Sequence, residues 1–63
     1  MEVDDLLFAI RQTDVPWVRR LLTRLPALAQ ARDAHGKPIS EHATESGNAE
    51  IARLFATALG QGL

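Results

Sequence analysis

Apolar residues recur along this chain at intervals of three and four, the spacing that places side chains on one face of an α-helix. Val3, Leu7 and Ile10 are spaced by four and three, and Leu6 and Ile10 by four, which predicts a helix over residues 4–12. It is short and apolar on nearly its whole circumference, with Asp4 and Asp5 at the end where the helix dipole favours negative charge. Thr13 and Asp14 then interrupt. Asp14 can cap a second helix whose first turn holds Pro16, where a missing N–H costs nothing. That helix runs to about Arg24, with Trp17, Val18, Leu21, Leu22 and Leu25 on one stripe and Arg19, Arg20, Thr23 and Arg24 largely off it. Pro26 ends it or starts a separate turn through Ala29, because a proline inside a helix costs about 3 kcal/mol. Residues 30–38 read as a connector with a tight turn from Asp33 to Gly36, and no strand of any length is expected. A third helix is predicted over 39–46, with Gly47 as its stop. Asn48 caps a fourth over 49–59, in which Ile51, Leu54, Phe55, Ala58 and Leu59 form a stripe before Gly60 and Gly62 mark a fraying end.

The two halves superpose. With residues 9–22, AIRQTDVPWVRRLL, set above residues 43–56, ATESGNAEIARLFA, Ala9 meets Ala43, Thr13 meets Gly47, Asp14 meets Asn48, Trp17 meets Ile51 and Leu21 meets Phe55, all at an offset of 34 residues. A helix pair recurring at that interval indicates stacked repeats, each burying its apolar face against its neighbour. The second copy, DAHGKPISEHATESGNAEIARLF, resembles the ankyrin repeat family, which reads loosely D-x-x-G-x-T-P-L-H-x-A-A-x-x-G-N-x-E-I-V-x-L-L. Asp33, Gly36, Ala43, Gly47, Asn48, Glu50, Ile51 and Leu54 match, and LPALAQARDAHG resembles the family's linker and turn. The resemblance spans roughly Leu6 to Leu59 and implies an all-α fold of stacked helix-turn-helix repeats with about four helices. It divides one domain, 1–63, into a first repeat at about 4–31 and a second at about 32–60. The departures lie at Pro38, Ile39, Ser40 and Glu41, which fall on the T-P-L-H positions, so that the knitting threonine and histidine are absent and Ser40 stands for a buried leucine. A slip of one residue restores Pro38 and Ile39 to P-L and leaves an extra residue before Gly47; both registers fit the sequence. Either way, the start of the third helix is expected to be the least regular part. Tetratricopeptide repeats share the period, but their tryptophan, tyrosine and proline pattern is missing.

With 46% apolar and 24% charged residues the chain has the composition of a globular protein and not of a disordered one. Its 63 residues limit it to a single small core of no more than about 3–5 kcal/mol. There is no cysteine to staple it or to act as a nucleophile. No apolar run approaches a membrane span, and acids stand where a secretory leader needs bases, so a cytoplasmic protein is expected. The net charge of -1 conceals a basic middle, since residues 1–10 carry -3, residues 11–37 carry +4 and residues 38–63 carry -2. Arg11, Arg19, Arg20 and Arg24 supply most of the positive charge, and a small helical regulator binding nucleic acid through them is the alternative reading.

Chemistry-bearing motifs are sparse. His35 and His42 form no zinc-ligand spacing, and His42 with Glu45 one turn later is the nearest approach to a metal pair. No serine sits in a nucleophile motif, Asp4 and Asp5 are adjacent and so diverge on a helix, and the glycines form no phosphate loop. Trp17, Phe8 and Phe55 read as packing residues. No enzyme, cofactor or metal is expected. The ankyrin resemblance implies a protein-binding module, an adaptor, inhibitor or immunity-type protein, whose concave face of turn tips and first helices maps to Ala34, His35, Lys37, Glu45 and Ser46 in the second repeat and to Arg11 and Gln12 in the first. Fewer than two complete repeats leave apolar surface uncovered at one end, so docking on another protein or self-association is expected.

Overall fold

The computed structural model describes residues 2–61. Four α-helices order the described residues: α1 (Glu2–Arg11), α2 (Val15–Arg24), α3 (Ile39–Glu45) and α4 (Ala49–Gln61), with a 3-10 turn at Pro26–Gln30. The protein is all-α. Proline opens the 3-10 turn directly behind Leu25, and its fixed φ and missing N–H explain why α2 stops there and a new turn begins. No described helix is long and apolar enough to cross a membrane.

The two helix-to-helix junctions share three backbone hydrogen bonds, although Asp14 N donates to Ala9 O (2.9 Å) in the first and Asn48 N to Ser46 Oγ (3.3 Å) in the second. In the first, Gln12 N donates to Phe8 O (2.9 Å), Thr13 N to Ile10 O (3.0 Å) and Val18 N to Asp14 O (3.0 Å). In the second, Ser46 N donates to His42 O (3.0 Å), Gly47 N to Thr44 O (3.2 Å) and Ala52 N to Asn48 O (3.1 Å), each partner 34 residues on. The capping side chains correspond too: Asp14 Oδ1 accepts from Trp17 N at 3.2 Å and Asn48 Oδ1 from Ile51 N at 3.1 Å. Each satisfies an orphan N–H of the following helix. The residue before each cap lies in the left-handed region, Thr13 at φ 56° and Gly47 at φ 75°.

Between the 3-10 turn and α3 the chain doubles back. Asp33 N donates to Lys37 O (2.9 Å), Gly36 N to Asp33 O (3.0 Å) and Ile39 N to Ala31 O (2.9 Å), while Arg32 and Pro38 form an isolated antiparallel bridge. Gly36, at φ 82°, takes the left-handed conformation that the tight turn requires. The expected turn from Asp33 to Gly36 is therefore present, closed by a single bridge.

Helix α1 packs on α2 and α3 on α4, and the two pairs lie side by side through contacts of α2 with α4 and of α1 with α3. Their shared interior holds Leu6, Ala9, Ile10, Val18, Leu21, Leu22, Ala29, Ile39, Ala43, Ile51, Phe55 and Ala58, and no polar residue is buried among the described residues. Ile39 is fully buried and Ser40 only half-buried, so the apolar position at the head of α3 belongs to Ile39. That head is also the plainest helix start, because Pro38 precedes it and offers no side-chain cap.

Several boundary and burial expectations are corrected. α1 begins at Glu2 and ends at Arg11, two residues earlier and one earlier than expected, and α3 stops one residue early, at Glu45. α4 continues through Gly60 to Gln61, because the backbone hydrogen bonds of a last turn outweigh glycine's penalty of about 1 kcal/mol; Gly62 lies outside the described residues. Leu21, Ile51 and Phe55 share the dry interior, but Trp17 is only half-buried, at its edge, and Val18 takes the central place on α2. Phe8, expected to be a packing residue, is 53% exposed, with its ring edge-on to Trp17 at a centroid distance of 6.1 Å.

Candidate functional site

The end of α1 and the face of α3 beside it enclose a groove of about 270 Å³ lined by Leu7, Ile10, Arg11, Thr13, His42, Glu45 and Ser46. Leu7 and Ile10, one helical turn apart on α1, give it an apolar floor. Arg11 and Glu45 stand exposed at its rim, at equivalent positions of the two junctions. The volume lies just below the range of small-molecule pockets.

The α3 wall is braced from the turn below it. Asp33 directs one carboxylate oxygen at the backbone, accepting from His35 N (2.8 Å) and Lys37 N (2.9 Å), and the other at His42 Nε2 (2.8 Å). An ionised carboxylate only accepts, so Nε2 carries the proton in this bond. The His42 hydrogen bond, followed by the Lys37 amide, holds the Asp33 carboxyl down from its ordinary 3.8 to about 2. Lys37 reaches from the same turn to Glu45 Oε1; their contact raises the lysine's pKa and lowers the glutamate's. Turn and helix are thus tied by the Lys37–Glu45 ion pair and by the hydrogen bond between His42 and Asp33.

Of the residues expected to bind, Arg11, Glu45 and Ser46 meet in the groove, and Lys37 joins them through Glu45. The Ser46 hydroxyl is already engaged, donating to Ala43 O at 2.6 Å and accepting from Asn48 N at 3.3 Å, so its part is to shape the junction. Gln12, Ala34 and His35 are exposed but do not line the groove. Sequence reasoning missed Leu7, Ile10, Thr13 and His42 as lining residues; only the spacing of Leu7 and Ile10 carried a signal. Arg11 takes part in none of the ion pairs among the described residues, and the carboxylate that shares the groove with it, Glu45, is engaged by Lys37.

His42 and Glu45 turn away from one another, to Asp33 and Lys37, and among the described residues no group of three or more metal-ligating side chains assembles. The four arginines also divide. Arg19, Arg20 and Arg24 line a shallow depression of about 380 Å³ on α2 with Pro16 and Thr23, whereas Arg11 belongs to the α1–α3 groove. Arg19 further reaches Glu50 on α4, at 3.9 Å. Compared with protein-family models, curated proteins and solved structures, the chain finds no match.

Proposed function

We propose that this chain is a non-catalytic protein-binding module of the ankyrin-repeat type, an adaptor, inhibitor or immunity-type protein that takes its partner in the groove between α1 and α3. The observation that carries this reading is the convergence of Arg11, Glu45 and Ser46 on one groove with the apolar floor of Leu7 and Ile10. Arg11 and Glu45 come from equivalent places in two similar junctions, as in a repeat whose concave face is assembled from successive units. The chemistry favours a partner segment that presents an apolar side chain beside a carboxylate, because Arg11 makes no ion pair among the described residues while Glu45 is already engaged by Lys37.

Affinity capture from the native host followed by mass spectrometry tests the reading. A partner retained by the native chain should bind at least about tenfold more weakly to Arg11→Glu, and normally to a Gln30→Glu control on the exposed 3-10 turn. Retention unaffected by Arg11→Glu would count against the groove. The nucleic-acid reading rests on the proximity of Arg19, Arg20 and Arg24, and it requires DNA or RNA affinity that falls steeply with salt. It is the weaker of the two, since Arg11 stands apart from that cluster and Arg19 faces Glu50.

A further inference from the structure

The outer face of the α1–α2 hairpin carries an aromatic pair, Phe8 exposed and Trp17 half-buried, flanked by unlike charges. Phe8 and Trp17 touch edge-on across the two helices, and Phe8 keeps 53% of its surface in water. Phe8 shares its face of α1 with Asp4 and Asp5, which precede it by four and three residues. On α2, Arg20 and Arg24 follow Trp17 by three and seven residues and so continue its stripe. All four charged residues are exposed, and none takes part in an ion pair among the described residues.

The arrangement is self-complementary. The two helices are joined by the short link Gln12–Asp14 and run antiparallel, so Asp5 on α1 and Arg20 on α2 each lie three residues, about 4.5 Å, further from the link than the aromatic pair. A twofold axis parallel to the hairpin, lying in the plane of contact, would set α1 of one copy against α2 of the other. Phe8 would then meet the second copy's Trp17, and Asp5 its Arg20, with Asp4 facing the region of Arg24. Like charges would not be opposed.

We propose that this face is the contact surface for a second copy of the chain, forming a twofold dimer through Phe8 and Trp17 with Asp5–Arg20 ion pairs between copies. Two helices of 10 residues are about 15 Å long and offer less than the roughly 800 Å² per partner of a standard interface, so the dimer is a weak one, formed in the micromolar to millimolar range. It uses a face beside the groove and stands independently of the partner proposed for it.

Sedimentation equilibrium over a concentration series, with circular dichroism to confirm folding, tests the proposal. Phe8→Ala should shift the association at least about tenfold towards monomer, and Asp5→Arg and Arg20→Glu should each weaken it by placing like charges opposite one another twice. Mixing Asp5→Arg with Arg20→Glu chains should restore association, because that heterodimer has an attractive pair at both positions. A charge pair within one chain would not respond to mixing. A native chain that stays monomeric through the millimolar range overturns the proposal. So does association that survives Phe8→Ala and the single reversals, which would place the contact elsewhere, or a failure of mixing to restore it.

Discussion

Two residues at equivalent positions, Thr13 and Gly47, face the same backbone demand with opposite chemistry. Both lie in the left-handed region, which glycine visits freely and which a β-branched side chain enters only at a cost. A Cβ built on Gly47 meets nothing within 4 Å, so space does not decide the matter there and conformation does. Thr13→Gly should therefore stabilise the fold by about 1 kcal/mol, and Gly47→Ala should destabilise it by about 1 kcal/mol, both read from urea unfolding midpoints at constant slope. Asp33 sets a second expectation at this scale. Its folded pKa, about 2, lies below the ordinary 3.8, so its contribution to stability is fully present above pH 3.8 and is lost as pH falls through about 2. Asp33→Asn should remove that acid-side loss, flattening the melting temperature between about pH 4 and pH 2 while lowering it at neutral pH, where the native carboxylate holds His42 and two backbone amides.

At the scale of the helix, starts were more legible in the sequence than stops or faces. α2 and α4 begin where Asp14 and Asn48 cap them, because a cap is local chemistry that a short stretch specifies by itself. The end of α4 is not legible in the sequence, because Gly60 competes with the hydrogen bonds of the turn around it and that contest is not visible in residue type. Since a Cβ on Gly60 meets nothing within 4 Å, Gly60→Ala should raise stability by up to about 1 kcal/mol, with a gain in helicity by circular dichroism. The arc that α2 buries was also only partly legible. Five apolar residues share its stripe, but a helix held between α1 and α4 buries the arc of Val18, Leu21 and Leu22, leaving Trp17 at one edge, while Leu25 lies past the helix end as its C-cap and is 39% exposed. Arg11 and Glu45 could be placed together from the superposition of the two junctions. His42 could not, because its partner Asp33 is nine residues away and reaches it only through the geometry of the turn.

For the whole molecule the governing fact is how little interior there is. Phe55 is the largest fully buried side chain among the described residues, and it lies in the interior that the two helix pairs share. Truncating a buried phenylalanine to alanine costs about 3–5 kcal/mol, which is as much as a core of this size supplies in total. Phe55→Ala should therefore leave the chain unfolded at 25 °C, with the helical circular dichroism of the native protein lost. Ile51→Val removes one methylene from the same interior and should only shift the urea midpoint, by the equivalent of about 0.5–1.5 kcal/mol. Phe8→Ala, the same chemical change on the outer face, should cost only about 1 kcal/mol in dilute solution, because the residue is 53% exposed and loses chiefly its edge-on contact with Trp17. A Phe55→Ala chain that unfolds cooperatively near the native midpoint would mean that the two helix pairs do not depend on a common interior for their stability.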